Sequence, residues 1–228
     1  MAPTASPAAY TAINTKAAAK KPSIVISGWP AVGKTTIADA LAKEFGLTMY
    51  NGGDILKMLA REKGYSADTA KSDWWDTPEA KAFMRERKRD PTFDKRVDKK
   101  LEEILRTESA VITSYTLPWL VASSGGEDED DKNSIKNKSN GRIIKFWLKG
   151  SSSSRAKRMA NRDGMSVEEA KKIVNIRDNE NIKIYKNLYN FTFGEDLSVF
   201  DYALNTDLLS LDALIEVAKL IVRRQIGR

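Results

Sequence analysis

Hydrophobic positions along the chain fall into short uninterrupted runs separated by stretches with helical spacing. The runs are SIVIS (Ser23 to Ser27), LTMY (Leu47 to Tyr50), AVIT (Ala110 to Thr113), RIIKFWL (Arg142 to Leu148) and YALN (Tyr202 to Asn205). Short runs without polar alternation suit strands buried on both faces, as in a parallel sheet. Between them, Ile37, Ala38, Leu41, Ala42 and Phe45 recur at helical spacing and stop at Gly46, where a C-terminal cap belongs. Val97, Leu101, Ile104 and Leu105 form a second stripe, and Leu211, Leu214, Ile215, Ala218, Ile221 and Val222 a third. This alternation predicts an α/β, three-layer domain with about five parallel strands joined by right-handed crossovers.

Two segments do not share the rhythm. Residues 1–21 are mostly Ala, Pro, Thr and Lys without periodicity, and no acid precedes Asp39, so a disordered tail is expected. A targeting peptide is the lesser alternative, because such peptides favour Arg and none precedes Arg61. Residues 122–141 carry an acidic block followed by Lys and Asn and read as a mobile surface loop.

The first strand run feeds directly into SGWPAVGKTT, in which Gly28 is followed after four residues by Gly33, Lys34 and Thr35. Strand, glycine-rich loop and helix in that order form a phosphate-binding loop: backbone N–H groups and the positive helix end converge on an anion. The expected ATP-binding residues are Gly28, Trp29, Pro30, Ala31, Val32, Gly33, Lys34, Thr35 and Thr36. Lys34 would reach the β- and γ-phosphates, the Thr35 hydroxyl would ligate Mg²⁺, and Thr36 would bond the α-phosphate. A glycine turn that happens to precede a helix would lack both the Lys-Thr pair and the flanking strand.

Composition narrows the chemistry. With neither His nor Cys in 228 residues, thiol nucleophiles, thiolate or imidazole metal sites and Ser-His-Asp triads are excluded. Phosphoryl transfer survives, since it rests on positioning and on cations that neutralise developing charge. The net charge of +7 fits either a polyanionic small molecule or a nucleic-acid surface, but no nucleic-acid-binding motif accompanies it. No apolar run approaches the roughly 20 residues of a membrane helix.

A second basic constellation follows the fourth run. Arg155, Arg158 and Arg162 lie three and four apart, on one helix face that ends near Asp163-Gly164. Ser166 with Glu169 three residues on is a capping box opening a helix that carries Arg177. Two helices bearing inward Arg across a turn can close over phosphates and exclude water; otherwise the stripe merely solvates a helix face.

Beyond the loop, NGGDILKMLA, RAKRMANRDGMSVEEA, IRDNENIKIYKNLY and DYALNT, taken in order, resemble the nucleoside monophosphate kinases, most closely cytidylate kinases of the archaeal type. The likeness spans nearly everything from Ser23 to Arg228 apart from the acidic loop. It implies a P-loop NTPase fold at residues 22–228, with a helical acceptor-binding insertion at about 53–106 and an Arg-bearing lid at about 150–190. It also implies transfer of the γ-phosphoryl of ATP to CMP or dCMP, with Mg²⁺. Arg158, Arg162 and Arg177 carry over as lid residues acting with Lys34. Where relatives have a further lid Arg stands Ile184, with Lys183 beside it as a candidate substitute.

For the acceptor, Lys57 falls at a family Arg position, and Asp54 lies one turn earlier. In the next basic stretch Arg85, Arg87 and Arg89 can meet a monophosphate, and Asp94 and Asp98 share one helix face, where a carboxylate accepting from the cytosine amino group would select C over U. Trp74 and Trp75 read as packing ahead of base-stacking platforms. The third strand departs from the family: Thr113, Ser114 and Tyr115 stand where an acid, Gly and Arg are expected, and only Trp119 matches further on. Tyr115 can donate a hydrogen bond or stack on a base but cannot neutralise a phosphate. The chain is thus expected to be a cytoplasmic, monomeric kinase acting on small-molecule nucleotides, with no membrane and with nucleic acid disfavoured. The rival readings are a P-loop kinase for another small acceptor and a nucleotide-sensing or nucleic-acid-binding P-loop protein.

Overall fold

The computed structural model describes residues 21–68, 74–75, 77–90, 92–123 and 142–226. Five strands form one sheet in the order β2-β3-β1-β4-β5. They are β1 (Ser23–Gly28), β2 (Thr48–Asn51), β3 (Ala110–Thr113), β4 (Ile143–Lys149) and β5 (Tyr202–Asn205). Every neighbouring pair is parallel, with β1 in the centre placing Ile24 opposite Val111 and Gly28 opposite Leu148. The five apolar runs are therefore the five strands, with β2 and β4 each shifted one residue later than the hydrophobic pattern suggests. The expected tail and acidic loop fall, at residues 1–20 and 124–141, outside the described residues.

Alternation along β1 builds two cores. Ile24 and Ile26 pack with Ile37 and Leu41 of α1 (Lys34–Phe45) and with Leu214 and Val222 of α8 (Leu211–Ile226). Val25 points the other way, toward Leu56 of α2 (Gly52–Glu62), Phe83 of α3 (Pro78–Arg89) and Leu101 of α4 (Thr92–Thr107). Helices thus cover both faces of a sheet whose central strand is wholly buried. The α1 stripe ends as its spacing predicts, with Gly46 in the left-handed region at φ 57°. The α8 stripe needs one correction: Leu214, Ala218 and Val222 are buried, but Leu211 is 44% exposed at the helix start.

Two satellite clusters lie at the C-terminal edge of the sheet. One is aromatic: Trp119 of α5 (Leu117–Ser123) stacks on Phe191 at 4.7 Å and meets Trp147 edge-on at 5.9 Å. The other, Ala156, Met159, Ala160, Ala170 and Val174, is the private core of a hairpin formed by α6 (Ser152–Asp163) and α7 (Val167–Tyr189). Gly164 ends α6 with φ 66°, and Ser166 and Glu169 exchange both capping-box bonds at the start of α7. The hairpin therefore carries its own fold information.

Candidate active site

The phosphate loop leaves β1 at a position only glycine can fill. Gly28 has φ 143°, and a Cβ there would lie 2.4 Å from the Leu148 carbonyl oxygen on β4. Gly33 caps α1 at φ 94°, turning the first helical N–H groups toward the loop. Lys34 Nζ donates to the carbonyls of Gly28 and Trp29, each at 2.8 Å, and sits 4.7 Å above the Tyr115 ring. Burial, reinforced by the charge of Arg155 and partly offset by Asp178, pushes the Lys34 ammonium down to about 7. Thr35 and Thr36 open onto the cavity in front of the loop.

Trp29 plays a different part from its neighbours. Its ring turns away from the cavity and meets Phe193 at 4.8 Å and Trp147 at 6.2 Å, both edge-on. Gly194, at φ 86°, gives it room, since a Cβ there would touch the Trp29 ring at 2.5 Å. Of the nine expected ATP-binding residues, Gly28 and Trp29 do not line the cavity; their carbonyls instead accept from Lys34.

A cavity of about 1260 Å³ extends from this loop between the hairpin and α2, α3 and α4. Arg158, Arg162 and Arg177 all line it. Arg158 donates to the Thr206 hydroxyl at 3.0 Å and to its carbonyl at 2.5 Å, and Arg162 pairs with Asp163 at 2.6 Å. Arg155, from the same stripe, is instead 4% exposed and does not line the cavity. It grips Asp178 of α7 at 2.9 and 2.6 Å, donates to Gly150 O at 3.1 Å and Pro30 O at 3.4 Å, and lies over the Trp29 ring. One guanidinium thus ties the loop to both arms of the hairpin. Lys183 is exposed and outside the cavity wall, where only Ile184 appears, so it does not replace the expected fourth Arg.

Away from the loop the cavity is lined by Asp54, Lys57, Asp94 and Asp98, while Tyr115 also lines it but lies next to Lys34. Lys57 is buried, 3.6 Å from Asp54 and over the Trp75 ring at 5.8 Å. Of the two tryptophans, Trp74 packs in the core as expected, while Trp75 is half-buried and faces the cavity. Of the three candidate Arg, Arg87 is buried in a two-pronged pair with Asp94 at 2.9 and 2.5 Å, Arg85 lines the cavity, and Arg89 lies outside its wall. Asp98 accepts from Thr116 and from the Tyr189 hydroxyl of α7, both at 2.5 Å.

Burial raises the Asp98 carboxyl from 3.8 to about 6, against the lowering pull of Thr116 and Tyr189. A folded-state value above the unfolded one means that the folded form holds more protons between about pH 4 and 6, so its stability falls as pH rises through that window. Asp98→Asn is expected to raise the unfolding free energy by about 1–3 kcal/mol at pH 7.5, with the gain vanishing at pH 4. Urea titrations at the two pH values check this; an equal effect at both would rule out the carboxylate charge as its source.

Sequence reasoning missed the β5–α8 turn, from which Thr206, Leu209 and Leu211 reach the cavity beside the phosphate loop. The apolar start of α8, read as core, was the available signal. Asn181 and Tyr185, one turn apart on α7, also line the cavity and are buried. Their spacing with Arg177 and Ile184 on one helix face carries the same information.

A phosphate loop, a basic helical hairpin and a second polar chamber on one parallel sheet define a P-loop phosphotransferase. A family profile described as AAA domain matches residues 24–186. The chain is 32% identical over 196 residues to the cytidylate kinase of Halorubrum lacusprofundi, covering 85% of each chain. It is 28% identical over 196 residues to that of Pyrococcus horikoshii, covering 86% of this chain and 85% of the other. A gluconokinase from Sinorhizobium meliloti 1021 shares the fold at a TM-score of 0.52 and 15% identity, over 90% of this chain and 94% of that one. The protein belongs to the AAA-domain P-loop family and, within it, to the cytidylate kinases of archaeal type, a branch of the nucleoside monophosphate kinases.

Proposed function

We propose that the enzyme transfers the γ-phosphoryl group of ATP to a pyrimidine nucleoside monophosphate, CMP or dCMP first. The observation that carries this reading is the single cavity of about 1260 Å³ with a phosphate loop at one end and a carboxylate floor at the other. It exceeds the roughly 300–1,000 Å³ that holds one small ligand, so two nucleotides can meet in it. The names of the archaeal relatives supply the preference for cytidylate.

In this reading the loop N–H groups and Lys34 hold the donor phosphates, and the hairpin acts as a lid. Arg158 and Arg162 exchange their present partners Thr206 and Asp163 for the transferring phosphoryl group, and Arg177 joins them there, where their charge counts most. Among the described residues no cluster of three acidic side chains could hold a metal alone. Mg²⁺ would be held by the Thr35 hydroxyl and mostly by phosphates and water, and would supply charge that neutralises the transferred group. An acceptor phosphate oxygen is already anionic, so no strong general base is needed. Asp94 and Asp98 keep accepting capacity toward the cavity and can take the exocyclic amino group of cytosine, which uracil lacks. Tyr115 lies between donor and acceptor ends.

A second reading, a kinase for another small acceptor, is favoured by the uncharged strand end Thr113, Ser114 and Tyr115. ADP formation measured with CMP, dCMP, UMP, AMP and non-nucleotide acceptors separates the two. CMP or dCMP is expected to give the highest kcat/KM; turnover confined to a different acceptor would refute the first reading.

A further inference from the structure

Resting on the kinase reading, we propose that the ion pair between Arg155 and Asp178 is the positioning device of the donor site: it fixes the phosphate-loop backbone that holds Lys34 and aims the cavity-facing Arg on each arm of the hairpin. Neither residue lines the cavity, so both act through others. Two geometric observations and an electrostatic one support it.

The first is what Arg155 holds. Its guanidinium donates to Pro30 O at 3.4 Å and lies 5.5 Å from the centre of the Trp29 ring. Trp29 O is one of the two carbonyls that accept from Lys34, and Ala31, just beyond Pro30, stands in the left-handed region at φ 61°. A non-glycine residue in that region is strained and persists only where its surroundings over-determine it. Here they do: Arg155 holds the preceding carbonyl, and Ala31 packs against the hairpin core that includes Ala156 and Met159.

The second is the rotation of the two helices. Arg155 on α6 and Asp178 on α7 are turned inward, their side chains 4% and 17% exposed. Arg158, three residues after the one, and Arg177, next to the other, line the cavity. The two bonds of the pair, at 2.9 and 2.6 Å, therefore fix both helices about their axes and set where both cavity Arg stand. Stability alone does not call for such a pair: a buried ion pair contributes little over an apolar pair of the same size, whereas its two-pronged geometry admits one arrangement.

The third is charge. The loop itself offers Lys34 only carbonyls. The charges that reach it are Arg155 from α6, which pushes its ammonium down together with burial, and Asp178 from α7, which pulls it up. The Tyr115 phenol, which faces Lys34 from the end of β3, is itself pushed up by burial and stays neutral in the working range. The pair thus sets two opposed charges at fixed places around the one cation of the loop.

The test separates charge from geometry. ATP binding without acceptor is measured by calorimetry between about pH 6 and 9, and kcat with CMP at about pH 6.5, where Lys34 is charged. The proteins are the wild type, Arg155→Lys, Arg155→Met, Asp178→Asn and the double variant Arg155→Met with Asp178→Asn. Wild-type ATP affinity is expected to fall as pH rises through about 7, as Lys34 loses its proton. Arg155→Met removes the repelling charge and is expected to move that fall up by at least about 0.5 pH unit; Asp178→Asn removes the attracting charge and moves it down by a similar amount. The double variant returns it close to the wild-type position, and Arg155→Lys, which keeps the charge, leaves it there. Arg155→Lys nevertheless lowers kcat at least about tenfold, because an ammonium cannot hold Asp178 and the Pro30 carbonyl in one fork. Shifts of the two single variants in the same direction, or no shift in either, would overturn the proposal, as would a wild-type kcat in Arg155→Lys. Should Arg155→Met fail to fold with Asp178 left unpaired, Arg155→Lys, Asp178→Asn and the double variant decide the matter alone. A failed kinase reading shows separately, as absence of CMP-dependent ADP formation in the wild-type protein, and leaves the ATP-binding shifts to test the pair.

Discussion

Replacing Lys34 with alanine is expected to lower kcat by at least about 100-fold while leaving the melting temperature unchanged or slightly raised. Lys34 is the cation of the phosphate loop, held by two carbonyls at 2.8 Å and half-buried over the Tyr115 ring at the cavity wall. In such a setting a charge aimed at a developing negative charge is worth far more than in solvent. The same burial pushes its ammonium down to about 7, so the folded protein carries the charge at a cost and loses little stability without it. Steady-state kinetics and thermal melts on one preparation check both halves. Intact activity would contradict the role given to the loop, and a collapse in melting temperature would show that the activity loss reports unfolding.

Arg87→Met is expected to destabilise the protein by about 3–5 kcal/mol, because it leaves the Asp94 carboxylate buried and unpaired. Both side chains are 8% exposed, and both prongs of the guanidinium are used. Removing the partner as well, in Arg87→Met with Asp94→Leu, is expected to restore most of the loss, since a packed apolar pair replaces two desolvated charges. Urea unfolding of the single and double variants measures the difference. If Arg87 were instead a phosphate ligand, the single variant would keep its stability and lose acceptor affinity alone.

The sheet was legible in the sequence because strands buried on both faces must be apolar throughout, and turns interrupt them sharply. The loop was legible for a steric reason: Gly28 abuts the Leu148 carbonyl, so its position tolerates no side chain. The hairpin announced itself through caps, with Gly164 and the Ser166–Glu169 pair satisfying groups that a helix end leaves open. What spacing left unresolved was the direction of individual charges. Arg85, Arg87 and Arg89 alternate along one helix, and only their place relative to Ala80 and Phe83 separates them. Arg87 stands on the buried stripe, where a charge signals an inward ion pair, and Arg85 stands off it. The Arg155–Asp178 pair spans 23 residues and two helices, so no local pattern encodes it. The same holds for the β5–α8 turn, which reaches the phosphate loop only because β5 lies at the edge of the sheet beside β4.

The undivided cavity has a pharmacological corollary. A single molecule carrying two nucleoside ends joined through a phosphate chain of matching length would engage both chambers at once. Its second end would bind at the high effective concentration set by the first, so its affinity could exceed that of either half by about 100-fold or more without any additional protein contact. The length of chain that binds best would then serve as a ruler for the distance between the two substrates when the hairpin is closed.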